Sequence, residues 1–148
     1  MVNEDEPDLS DRDDIRVYHE LEQEGFFDST PWDTFIGLCL TFTEESVIPI
    51  TQDPLPQGDI DAARQFLSGY ITESDLEQRR TAAWDRLRNL SGTNKHIQRL
   101  TVIFLYPDLL SGIEKPEQPD PNSFLFINLL WDIDPSLATD FRNFMREN

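Results

Sequence analysis

Between Trp32 and Phe42 the chain reads Trp-Asp-Thr-Phe-Ile-Gly-Leu-Cys-Leu-Thr-Phe, which is apolar around most of a helical circumference. A helix of that kind sits at the centre of a core, wrapped by others. Its start is well marked. Thr30 suits an N-cap, Pro31 suits the first helical position, and Asp33 follows Thr30 by three residues, like the acid of a capping box. The pattern fades through Glu44-Glu45-Ser46-Val47-Ile48 and stops at Pro49.

The remaining segments supply the wrapping. Ser10 reads as an N-cap with Asp11, Asp13 and Asp14 in the first turn, where carboxylates favour the helix dipole. That helix runs to Glu24 and stops at Gly25, with Ile15, Val17, Tyr18 and Leu21 turned inward. Three prolines make 49–58 a loop. Asp59 is then expected to cap a short helix with Ile60, Ala63, Phe66, Leu67, Tyr70 and Ile71 inward. Thr72, with an acid three residues on at Asp75, starts a fourth helix, striped by Leu76, Ala83, Trp84, Leu87 and Leu90 and ended by Ser91-Gly92. Asp75 precedes Arg79 by four residues, the favourable direction for an ion pair along one helix.

The C-terminal third is more ambiguous. Ile97 to Tyr106 suits a buried helix or a buried strand by periodicity. The cap-like Thr93-Asn94, the polar Gln98-Arg99 and the stop at Pro107 favour helix. A loop from Asp108 to Asp120 follows. Asp120-Pro121 opens a buried helix over 124–131, and Asp134-Pro135 opens a last one with Leu137, Phe141, Phe144 and Met145 inward. The expected fold is therefore all-α, an orthogonal bundle of six to seven helices. The alternative is α+β, with one or two buried strands near 101–106 and 124–131. At 148 residues one domain over 10–148 is expected, behind an acidic, disordered tail over 1–9. A domain of that size buries roughly 68–70% of its unfolded surface, enough to fold without staples.

Charge is uneven along this chain. The formal net charge is -17, yet residues 1–61 hold 17 acids against two bases, while 62–106 hold four acids against seven bases. Such an imbalance bears on partners and association rates rather than on fold. It argues against nucleic acid as a ligand, since the phosphate backbone would be repelled. The N-terminus has neither the basic region nor the apolar core of a signal peptide, and no run approaches the ~18 apolar residues of a membrane span. A soluble, cytoplasmic protein is the expectation.

Catalytic and metal signatures are lacking. Neither His19 nor His96 lies in an HExxH pattern. Asp8 to Asp14 lacks the glycine of a calcium loop, and Asp59/Asp61 and Asp132/Asp134 are pairs only. The single cysteine, Cys39, lies in the apolar run and reads as a buried small hydrophobe. Glu44-Glu45 face different ways on a helix and read as an exposed end. There is no GxSxG, Walker A, GxGxxG or CxxC. No cofactor is expected and no catalytic residue is assigned.

Two surfaces remain as candidates. Asp13, Asp14, Glu20, Glu22 and Glu24 would give the first helix a negative face for a basic protein partner, with Tyr18, Phe26 and Phe27 (and Trp32 further on) as anchors. Arg79, Arg80, Arg86 and Arg88, joined by Arg99, form the one basic patch. Either this helix packs beside the acidic first helix and the charges neutralise each other, or it offers a second contact or self-association site.

The stretch Asp61-Ala-Ala-Arg-Gln-Phe-Leu-Ser-Gly-Tyr-Ile-Thr-Glu-Ser-Asp-Leu-Glu-Gln-Arg-Arg-Thr-Ala-Ala-Trp-Asp-Arg-Leu-Arg88 resembles the helix, short turn and Ala-Ala-Trp helix of some small acidic, all-helical immunity proteins of bacterial toxin systems. It covers about a fifth of the chain. The resemblance implies a non-enzymatic inhibitor whose partner is a toxin domain made by the same bacterial cell, often a basic nuclease. It carries over no individual binding residue. Two rival readings are a nucleic-acid mimic of the anti-restriction or anti-CRISPR type, and a small enzyme with a carboxylate-lined pocket between helices.

Overall fold

Every regular element in the structure, a computed structural model describing residues 12–113 and 121–148, is helical. The elements are α1 (Asp13–Gln23), α2 (Phe26–Ser29), α3 (Trp32–Phe42), α4 (Leu55–Leu67), α5 (Glu73–Leu87), α6 (Gly92–Val102), α7 (Pro107–Ser111), α8 (Asn122–Ile133) and α9 (Pro135–Glu147). The all-α expectation holds among the described residues, and the strand alternative falls. Residues 97–105 continue α6 into a 3-10 turn (Ile103–Leu105), and 124–131 lies inside α8. The two helices beyond seven are the short α2, between Gly25 and Thr30, and α7, at the start of the expected 108–120 loop. The tail over 1–9, the Ser10 cap with Asp11, and Asp120 lie outside the described residues.

Two helix groups share one continuous core. In the first, α1, α8 and α9 pack on one another; in the second, α4, α5 and α6 do, with the turn at 103–105 beneath them. The α6–α8 contact joins the groups, and α3 leans on α7 and α9. Phe141 on α9 is a hub. It is fully buried, with its ring centroid 5.0 Å from Phe126, 5.2 Å from Phe42 and 6.4 Å from Phe35.

Several local signals work as read. Thr72 and Asp75 form a reciprocal capping box, of the kind worth about 1 kcal/mol. Asp134 accepts a hydrogen bond from the Ser136 amide at the start of α9. Gly25 supplies the left-handed residue (φ 74°) after α1. Cys39 is buried, and burial alone pushes its thiol well above the ordinary range.

Others do not. Pro31, not Thr30, is the N-cap of α3, while Asp33 Oδ1 accepts from the Thr34 amide. Most consequentially, Asp59 is no cap. α4 begins four residues earlier, at Leu55, because Pro54 and Pro56 sit at its start, where a missing N–H costs nothing. Asp59 therefore falls inside the helix, fully buried. It accepts from Arg79 Nε (2.9 Å), Gln98 Nε2 (2.8 Å) and Thr101 Oγ1 (3.1 Å), with Arg86 Nη2 at 3.7 Å. Arg79 thus pairs across to α4 rather than along its own helix to Asp75, whose carboxylate is held by Thr72.

Candidate partner-binding surface

The acids of α1 separate into groups with different environments. Helical periodicity turns Asp14, Val17 and Leu21 inward together. Asp14 is fully buried, accepting from Arg12 Nη2 (2.8 Å), Arg12 Nε (3.1 Å) and Asn128 Nδ2 of α8 (2.9 Å). The Arg12 guanidinium also lies 4.1 Å from the Trp131 ring centroid. Asp14 therefore anchors α1 to α8 and presents no carboxylate to a partner, which corrects its place among the surface acids.

Asp13 accepts from Arg16 Nη2 (2.6 Å). Glu20 accepts from Arg142 Nη1 of α9 (2.7 Å), with Arg16 and Arg146 within 3.7 Å. Glu24 pairs with Arg146. The neutralising arginines of α1 thus come half from its own N-terminal end, Arg12 and Arg16, and half from α9, 122 residues away for both Glu20–Arg142 and Glu24–Arg146. Helix α5, one of whose two readings places it beside α1, lies in the other group and spends Arg79 and Arg86 on Asp59 of α4.

The hydrogen bond from Arg146 holds the Glu24 carboxyl below its ordinary range and raises Arg146 in turn. A depressed carboxyl stabilises the fold above the unfolded carboxylate pKa, and that contribution is lost as pH falls through the folded value. Glu24→Gln is therefore expected to lower the urea midpoint near neutrality and to have a vanishing effect below the carboxylate range. Urea titrations of both proteins at the two pH values check this; an effect that persists in acid would show that packing, not charge, is lost.

What remains unneutralised is Glu22. Among the described residues neither Glu22 nor Asp28 makes an ion pair, and both are exposed. They border an open cleft of about 380 Å³ with Tyr18, Phe27, Trp32 and Phe35 in its walls. Tyr18 and Phe27 stack at 5.2 Å, and Tyr18 meets Phe124 edge-on at 5.3 Å. Trp32 Nε1 donates to the Leu109 carbonyl (2.8 Å), which fixes the indole. Gly112 (φ 80°) passes so close that a Cβ there would stand 2.7 Å from that ring. Phe26 is half-buried and packs edge-on against Phe27 and Phe35, so it supports the wall instead of standing out as an anchor.

The basic patch is similarly thinned. Arg79 and Arg86 serve Asp59 and Gln98. Arg80 donates to the Leu105 carbonyl (2.9 Å) and lies 4.6 Å over Tyr106. Arg88, paired at 3.8 Å with Asp85, is 81% exposed and the most solvent-facing of the four. A second cleft, of about 240 Å³, opens beside Trp84, Arg99, Tyr106 and Asp108. Nothing in the residue pattern points to it, because its walls come from α5, α6 and the turn after it, α7 and α8. The carboxylates bordering the two clefts, Glu22, Asp28 and Asp108, are all exposed, unlike the buried convergent pair an acid–base site would need.

Among the described residues no group of His, Cys, Asp and Glu is arranged to hold a metal ion, and no helix is long and apolar enough to cross a membrane. Comparison with protein-family models, curated proteins and solved structures finds no match to this chain.

Proposed function

We propose that this chain is a non-enzymatic binding protein that captures a basic protein partner on its α1–α2 face, in the manner of an immunity protein neutralising a bacterial toxin domain. One observation carries the reading: Glu22 and Asp28, without an ion pair among the described residues, flank an aromatic-walled cleft, while the other α1 carboxylates are already neutralised from within. Carboxylates beside aromatic rings suit an inserted lysine or arginine, which gains from both the charge and the ring faces. The remaining surplus of acid steers a basic partner toward that face, an effect that weakens with salt. The resemblance of 61–88 to acidic immunity proteins points the same way.

The test uses the protein encoded next to this chain's own gene as the partner. Its association with the wild type should be fast at low salt and slow steeply as salt rises. In the double variant Glu22→Lys, Asp28→Lys the association rate should fall about tenfold or more at low salt, with a flatter salt dependence. Neither side chain makes an ion pair among the described residues, so the variant keeps its helical circular dichroism. An unchanged rate and salt slope, or no binding by the wild type, would overturn the reading.

A further inference from the structure

We infer that the cleft between α5, the end of α6, α7 and the start of α8 binds a small apolar monocarboxylate through Arg99. The starting observation is a mismatch. The chain has 29 acids and ten arginines, and nine of those arginines pair with a carboxylate or donate to a backbone or amide oxygen. Arg99 has neither kind of partner among the described residues; its contact is with the face of Trp84, 5.2 Å from guanidinium carbon to ring centroid. Stacking covers the flat of a guanidinium and leaves its five N–H donors, which lie in the plane, unused. A planar fork of donors matches a carboxylate in bidentate fashion.

The surroundings define the rest of the ligand. Ile103, Leu109 and Leu125 join Trp84 in the apolar part of the cleft lining. Trp84 is held by its Nε1–H, which donates to Tyr106 Oη (2.8 Å), and Tyr106 is held in turn beneath Arg80. The aromatic side of the cleft is therefore set before anything enters. Its volume is about 240 Å³. A cavity of about 150 Å³ takes benzene, so this one suits a single ring with a short acidic arm. The exposed Asp108 on the rim and the net charge of -17 both oppose a second negative charge. That selects a monocarboxylate over a phosphate dianion.

The probe is phenylacetate, followed by amide chemical shifts of the full-length protein. Perturbations clustered on residues 84, 99, 103 and 106 are expected, saturating at about millimolar concentration, a scale typical of so small a ligand. The neutral phenylacetamide should bind about tenfold more weakly or worse, and Arg99→Gln should weaken phenylacetate by a similar factor while leaving the amide's affinity unchanged. Trp84→Leu, which keeps the cation and removes the ring, should weaken both ligands. Saturation by phenethylammonium instead would show that Asp108 governs the cleft. That result, scattered shifts without saturation, or equal binding of acid and amide would each overturn the inference. None of these outcomes depends on Glu22 or Asp28, so the partner-binding proposal stands or falls separately.

Discussion

Asp59→Ala is expected to cost about 3–5 kcal/mol of folding stability, the usual penalty for breaking a buried ion pair from one side. The carboxylate is fully buried and is the common acceptor for Arg79, Gln98 and Thr101. Removing it strands Gln98 and Thr101, both fully buried, and two cations beside them. Arg86 Nε is already buried without an acceptor. Arg79 lies close against the backbone of α4, where a Cβ on Gly58 would stand 2.2 Å from its Nη2. The guanidinium side chains are 33% and 26% exposed, so water relieves part of the cost and the lower end of the range is favoured. Glu44→Gln is the control. Glu44 also meets an arginine, Arg64, at 2.8 Å, but both partners are more than a third exposed, and its loss should cost under about 1 kcal/mol. Urea unfolding of the two variants decides: similar losses would show that the Asp59 network contributes no more than a surface pair.

Two buried carboxylates, Asp59 and Asp14, show where sequence reading stops. Helical period and caps are local, and they located α3, α5, α8 and α9, with the Thr72 and Asp134 caps where the residue types placed them. Asp59 was misread because a proline-rich stretch looks like a loop, and a helix starting between two prolines hides its own first turn. Asp14 was misread for a different reason. Next to Asp13 it is chemically identical, and only the rotation of one residue around α1 sends one carboxylate to solvent and the other against Asn128, 114 residues away. Charge counting along the chain is blind to that distance. Of the two readings it leaves open for the α5 arginines, neutralisation of α1 does not hold: Arg12 and Arg16 beside Asp14 and Asp13, and Arg142 and Arg146 of α9 beside Glu20 and Glu24, do the neutralising. The candidate site was legible as a region, through Tyr18, Glu22, Phe27 and Trp32, but its outline depends on Gly112, Pro121 and Ser123, which only the tertiary packing brings to one cleft.

Phe141→Ala is expected to cost about 3–5 kcal/mol, from lost burial plus the cavity left behind. For a chain of this length that is a fall in melting temperature of roughly 6–20 °C. Three aromatic rings from α3 and α8 converge on Phe141 and cannot all collapse into the space, since Phe35 and Phe42 are committed to α3 and Phe126 to α8. Phe35 is also a wall of the Glu22–Asp28 cleft, so the variant should loosen the proposed binding face as well as the core. Combining it with Asp59→Ala tests how the two helix groups communicate. The altered residues share no partner, one lying among α4, α5 and α6 and the other among α3, α8 and α9. Independent sites add to within about 0.5 kcal/mol. Additive losses in urea would mean that the α6–α8 contact joins two separately stabilised halves. A combined loss well below the sum would mean that either lesion alone already loosens that contact, and that stability on the α1–α2 binding face is coupled to the buried Asp59 network on the far side of α6.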